Sequence, residues 1–130
     1  MRLKYPIVAV DYDNTLTYGN DYPAQGDINM LAVHYLTAYR KMGGKLILFT
    51  GRTDDSLLTA LSACKSVGLE FDAVNTDLDS TIEAWKCDNP YTSLSSKPCF
   101  DMLIDDKAYP HCVKGIDWVT LGDELLKCVD

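Results

Sequence analysis

Positive charge is in short supply along this sequence. Twelve lysines and arginines stand against nineteen aspartates and glutamates, a net of −7 over 130 residues. The basic residues are scattered, with Arg40, Lys41 and Lys45 the tightest group, so no stripe suits a nucleic-acid backbone and such a partner is disfavoured. Also lacking is an apolar run long enough to span a bilayer, so no membrane is expected as a partner. Met1-Arg2-Leu3-Lys4-Tyr5 runs straight into a strand-like segment, leaving no room for a secretory signal. The five cysteines (Cys64, Cys87, Cys99, Cys112 and Cys128) are odd in number and form no Cys-x-x-Cys pair. That argues against a zinc site and against a disulfide framework, and for a reducing, cytoplasmic setting. Cys64 and Cys128 fall at apolar helical positions and read as small core residues. The two histidines, His34 and His111, read as a helix-surface group and a loop group without a role.

What remains is ordinary for a soluble globular chain: 47% hydrophobic and 24% charged residues. Residues 1–130 are long enough for one domain with a single core. Pro6-Ile7-Val8-Ala9-Val10 is an apolar run of the kind buried on both faces of a sheet. Residues 18–26 read as an irregular loop, after which Asp27 caps a helix whose apolar stripe is Ile28, Leu31, Ala32, Tyr35, Leu36, Tyr39 and Met42. Gly43-Gly44 ends it. Lys45 to Thr50 is a second strand, and Thr53 caps a second helix with the stripe Leu57, Leu58, Leu61, Cys64 and Val67. A third strand centres on Phe71 to Val74. A short helix covers 80–87, a loop 89–96, a fourth strand 100–104 and another loop 107–116. Trp118-Val119-Thr120-Leu121 reads as a fifth strand and 123–129 as a last helix. Strands alternating with helices imply parallel βαβ units. The expected fold is therefore α/β: a three-layer α/β/α sandwich on a parallel five-stranded Rossmann-like sheet.

If the strands are parallel, their carboxyl ends deliver polar groups to one edge: Asp11 and Asp13, Thr50, Asn75, then Asp105 and Asp106. Ligands of open α/β sheets bind at that edge. Two acids behind a buried strand are costly unless a cation or a reacting group balances them. As plain turn chemistry, Asp-x-Asp alone would carry little weight. Tyr12, Tyr18, Tyr22 and Trp85 read as core or surface packing rather than as pocket walls.

The order of these signals resembles the haloacid dehalogenase (HAD) superfamily across nearly the whole chain. Asp11-Tyr12-Asp13-Asn14-Thr15 matches its first motif, Leu46-Ile47-Leu48-Phe49-Thr50 its second, and Met102-Leu103-Ile104-Asp105-Asp106 its fourth. The third motif is a lone lysine, for which Lys97 is the match and Lys107 the rival. The resemblance is to the small capless hydrolases of that superfamily. It implies the strand order 5-4-1-2-3, no cap domain, and a Mg²⁺-dependent phosphatase acting on phosphate monoesters. Asp11 would be the nucleophile that forms an aspartyl-phosphate and Asp13 the general acid and then base. Thr50 and Lys97 would bind the phosphoryl oxygens, with Gly51 and Arg52 as further substrate contacts. The Asp11 carboxylate, the Asp13 carbonyl and Asp105 would hold the metal, with Asp106 on a metal water or on Lys97. An acid at Asp13 sets the chain apart from the dehalogenases, which lack one there.

A phospho-receiver module shares the architecture, but its acceptor aspartate ends the third strand, where this chain has Asn75. A catalytically silent fold used for binding is the other rival. Without a cap, the site is open and either takes large substrates or borrows cover from another copy in a homo-oligomer. The acidic charge favours a small phosphorylated substrate, with the 3′-phosphorylated end of a polynucleotide as the runner-up.

Overall fold

The computed structural model describes residues 2–20, 22–88 and 96–130. Among these residues, six strands and five helices follow in the order β1 (Arg2–Leu3), β2 (Ile7–Val10), α1 (Met30–Lys41), β3 (Lys45–Leu48), α2 (Asp54–Ser66), β4 (Ala73–Val74), α3 (Asp79–Asp88), β5 (Met102–Ile104), α4 (His111–Lys114), α5 (Trp118–Leu125) and β6 (Cys128–Val129). The expected loop over 89–96 lies, but for its last residue, outside the described residues.

The main sheet has four strands in the order β4-β3-β2-β5, all pairs parallel. The apolar run Ile7–Val10 is its central strand, because only a strand covered on both faces can carry apolar side chains in both directions. Alternation sorts them. Val8, Val10, Leu46, Leu48 and Ile104 join the larger core, while Ala9 and Ile47 join a smaller one with Leu78 on the opposite face. Val10 pairs with Leu48 on one side and Ile104 on the other, and Leu48 pairs with Val74. Each ladder runs one residue further: Asp11 N–H donates to Ile104 O (2.9 Å), Phe49 N–H to Val10 O (2.8 Å) and Asn75 N–H to Leu48 O (2.8 Å). The four strands therefore end level, and the polar residues at their carboxyl ends meet in space.

The expected fifth strand is not one. Residues 118–121 begin α5, despite their β-rich composition. Asp117 decides it, because its side chain accepts from the N–H groups of Val119 (3.2 Å) and Thr120 (3.3 Å), a helix N-cap. Trp118, Gly122 and Leu125 are buried at helical spacing while Val119 points to solvent. The expected last helix gives way to β6, which pairs antiparallel with β1 beside the main sheet. Cys128 is accordingly a half-buried strand residue. Helix α1 packs on α5. The approach is close enough that a Cβ on Gly122 would overlap the Tyr35 ring.

Smaller corrections have similar causes. The cap of α1 is Asn29, not Asp27; its Oδ1 accepts from Leu31 N (3.0 Å) and Ala32 N (3.4 Å). Thr53 occupies the cap position of α2 without a side-chain bond to the helix. Leu58, counted on the inner stripe of that helix, is exposed, and Ala60 and Cys64 are its buried residues. Part of the expected loop 107–116 is the short helix α4. No helix among the described residues is long and apolar enough to cross a membrane.

Candidate active site

Three of the four acids form a compact group. Carboxylate oxygens of Asp11, Asp105 and Asp106 lie within 4.8 Å of one another, and all three residues are half-buried. The cause is the level ending of β2 and β5, which pair through Val10 and Ile104. The turn after β2 then fastens the group. Thr15 Oγ1 donates to Asp11 Oδ2 (3.1 Å) and accepts from Asp106 N–H (3.1 Å), so one buried hydroxyl bridges two acidic residues. Asn14 Nδ2 donates to Asp106 Oδ2 (3.0 Å) from a left-handed backbone (φ 57°), a conformation asparagine tolerates better than most residues. Lys107 contributes its backbone N–H to Asp105 Oδ1 (2.9 Å). Trp118 Nε1 donates to Thr15 O (3.3 Å), so α5 buttresses the same turn.

Among the described residues, no ion pair balances this trio. The Asp11 carboxyl is pushed up to about 7, first by burial and then by the negative charge of Asp105; the Tyr12 N–H and the Thr15 hydroxyl oppose the rise. Such an all-oxygen group suits a hard divalent cation rather than zinc. The donor set thus fits a metal of that class.

The fourth acid, Asp13, has a different environment. Arg52 grips it bidentately, Nε to Oδ2 at 2.8 Å and Nη2 to Oδ1 at 2.7 Å. The same guanidinium donates to Ala24 O (2.7 Å), Ser56 O (3.2 Å) and Pro23 O (3.3 Å), and its central carbon lies over the rings of Tyr12 (5.0 Å) and Tyr22 (5.3 Å). Arg52 is 1% exposed. Its affinity for its proton is raised, chiefly by the bonds to Asp13. All five of its donors are engaged within the protein, while its side chain also forms part of the pocket wall.

Thr50 lies just past β3 and is aimed by two bonds. Its N–H donates to Asn75 Oδ1 (2.8 Å) and its hydroxyl accepts from Arg52 N–H (3.1 Å), which leaves the hydroxyl proton to donate. Asp11, Asp13, Asn20, Tyr22, Thr50, Gly51 and Arg52 line one open pocket of about 490 Å³. Lys97 is not among them. It borders a separate recess with Pro98, Cys99 and Phe100, its ammonium 6.0 Å from the Phe100 ring centroid. A larger cavity, about 730 Å³, is lined by residues between 110 and 124 and includes none of the four acids.

Sequence reasoning gives no site role to Asn14, Thr15 or Asn75, and it prefers packing over a pocket wall for Tyr22, which lines the pocket. The first two stood inside the Asp-x-Asp motif, and Asn75 was noted only as a strand-end polar residue. Nothing in the spacing marked Tyr22, which lines the pocket while Tyr12 is buried beneath Arg52.

No protein-family model matches this chain, and no curated protein does. Among solved structures it is similar to a conserved protein from Bacteroides thetaiotaomicron, at 29% identity and a TM-score of 0.73, over 95% of this chain and 88% of that one. That likeness supports the α/β fold with its parallel sheet.

Proposed function

We propose that this chain is a Mg²⁺-dependent phosphatase that hydrolyses phosphate monoesters through an aspartyl-phosphate on Asp11. The observation that carries the reading is the gathering of Asp11, Asp105 and Asp106 at the level ends of two paired strands, with Thr50 on the wall of the same pocket as Asp11. Asp11, Asp105 and the Asp13 carbonyl would hold Mg²⁺, with Asp106 beside it, supplying the positive charge that lets an anionic carboxylate meet an anionic phosphate.

The chain's own groups divide the chemistry among them. An Asp11 oxygen forms a bond to phosphorus as the bond to the leaving oxygen breaks, and Thr50 donates its hydroxyl proton to a phosphoryl oxygen. Asp13, protonated at the start of the cycle, gives that proton to the leaving oxygen. It then takes one from the water that attacks phosphorus, which releases phosphate and restores Asp11. The bidentate grip of Arg52 uses one acceptor site on each Asp13 oxygen and leaves a second lone pair on each for that proton. Lys97 holds its phosphoryl-binding role on the resemblance alone.

The test is turnover of an aryl phosphate. Hydrolysis with Mg²⁺ that stops on adding EDTA, returns with excess Mg²⁺ and is abolished in a folded Asp11→Asn variant is the expected result. Turnover unchanged by chelation removes the metal from the reading, and an active Asp11→Asn removes the covalent intermediate.

A further inference from the structure

The Arg52 guanidinium lies over two tyrosine rings, that of Tyr12 in the core (5.0 Å to its centroid) and that of Tyr22 in the pocket of Asp11 (5.3 Å). The inner ring, Tyr12, is fully buried, with its hydroxyl on Gln25 Oε1 at 2.6 Å. The Arg52 guanidinium is held in place by its five hydrogen bonds. The outer ring, Tyr22, lies over that guanidinium yet remains 55% exposed. A tyrosine packed only for stability would be covered, and one placed only for solubility would not rest on a pinned cation. Tyr22 is fixed on one face and open elsewhere, on the wall of the pocket that contains Asp11, Asp13 and Thr50.

From this geometry we infer that Tyr22 is a stacking platform for a planar ring carried by the substrate, so that the preferred ester joins a phosphate to a nucleobase or a similar flat aromatic group. Aromatic stacking suits this role because it is strong without demanding a particular pattern of donors. The Arg52 clamp has already ordered the ring, so less freedom is lost on binding. A pocket of about 490 Å³ is within the range that accommodates such a ligand. The proposal rests on the phosphatase reading for turnover, but not for binding.

The experiment compares esters that share a primary alkyl phosphate: adenosine 5′-monophosphate, pyridoxal 5′-phosphate and ribose 5-phosphate. Each is assayed with the wild type, Tyr22→Phe and Tyr22→Leu. The expected result is a wild-type kcat/KM higher for the ring-bearing esters by about tenfold or more. Tyr22→Phe should keep that preference and Tyr22→Leu should lose it, read within each variant as the ratio of kcat/KM for the ring-bearing ester to that for ribose 5-phosphate. A preference for the nucleotide alone identifies a nucleobase, and a shared preference identifies any planar ring. Wild-type ratios near one, or a ratio that survives in Tyr22→Leu, overturn the platform. Calorimetric binding of the same three compounds is measured in parallel. If no ester is hydrolysed, ring-dependent binding lost in Tyr22→Leu still supports the platform while the phosphatase reading fails. Binding indifferent to the ring and to Tyr22 overturns the platform whatever the turnover.

Discussion

Arg52 is a buried cation with one carboxylate partner, and removing it leaves more than a gap. Asp13, whose side chain is 16% exposed, would lose its counter-charge, and the carbonyls of Pro23, Ala24 and Ser56 would lose a donor. Breaking a buried pair from one side costs about 3–5 kcal/mol. Asp13 keeps some water, so Arg52→Ala should lie at the lower end, about 3 kcal/mol, in urea denaturation. Arg52→Lys keeps the charge but not the planar fork that spans both Asp13 oxygens. It should recover part of that stability and still turn over substrate slowly, because Asp13 is no longer held in one orientation. The sequence-based role as a substrate contact makes the opposite forecast. If Arg52→Ala is as stable as the wild type and only KM rises, Arg52 acts as a substrate contact.

Among the elements, the α1–α5 contact is the most sharply constrained. Glycine inside a helix is disfavoured against alanine by about 1 kcal/mol, so Gly122→Ala would stabilise α5 were propensity alone at work. The Tyr35 ring stands where the new Cβ must go, and the ring atoms in the way include those nearest its own backbone. Overpacking of this kind costs about 1–3 kcal/mol. Because Tyr35 is half-buried and must shift as a whole side chain, while the helix gains the propensity of alanine, the net loss should be about 1 kcal/mol, read as a lower thermal midpoint in circular dichroism. A Gly122→Ala variant more stable than the wild type would show the helices yielding freely. Any shift should also reach the site, since Trp118 on α5 bonds the Thr15 carbonyl.

For the whole molecule, the acid group makes stability depend on pH in an unusual direction. The folded Asp11 titrates near 7 against an ordinary value of 3.8, so between those values the folded chain binds more protons than the unfolded chain. Stability contributed by this group is therefore present below about pH 4 and is lost as pH rises towards about 7. The lowered carboxyls of Asp72, beside Arg40, and Glu124, with Lys127, Tyr5 and Lys4, act with the opposite sign: their contribution is lost as pH falls below about 4. The two windows scarcely overlap. In metal-free buffer the thermal midpoint should fall between about pH 5 and about pH 7.5. The Asp11→Asn variant should lack that fall. Added Mg²⁺ should raise the wild-type midpoint at the upper pH, since a cation that binds only the folded form stabilises it by mass action. Identical pH profiles for wild type and Asp11→Asn would remove Asp11 as the cause.

The amino-acid sequence by itself determined the parallel sheet and the edge at which the acids meet. Both rest on short-range rules: apolar runs fit only a sheet covered on both faces, and level strand ends bring Asp11, Asp105 and Asp106 together whatever the loops do. It did not determine the end of the chain. The aromatic and β-branched residues Trp118, Val119 and Thr120 carry a strand propensity that the Asp117 cap and burial against α1 overrule, because propensity is weak beside a cap and a packed face. Nor did it reveal the partners of the site residues. Arg52 gripping Asp13, Thr15 bridging Asp11 and Asp106, and Tyr22 lying against Arg52 at the mouth join residues up to 91 positions apart. Spacing along a chain carries no information on such contacts. Only the tertiary structure, by closing those loops over one sheet edge, decided which arginine is a clamp and which tyrosine is a wall.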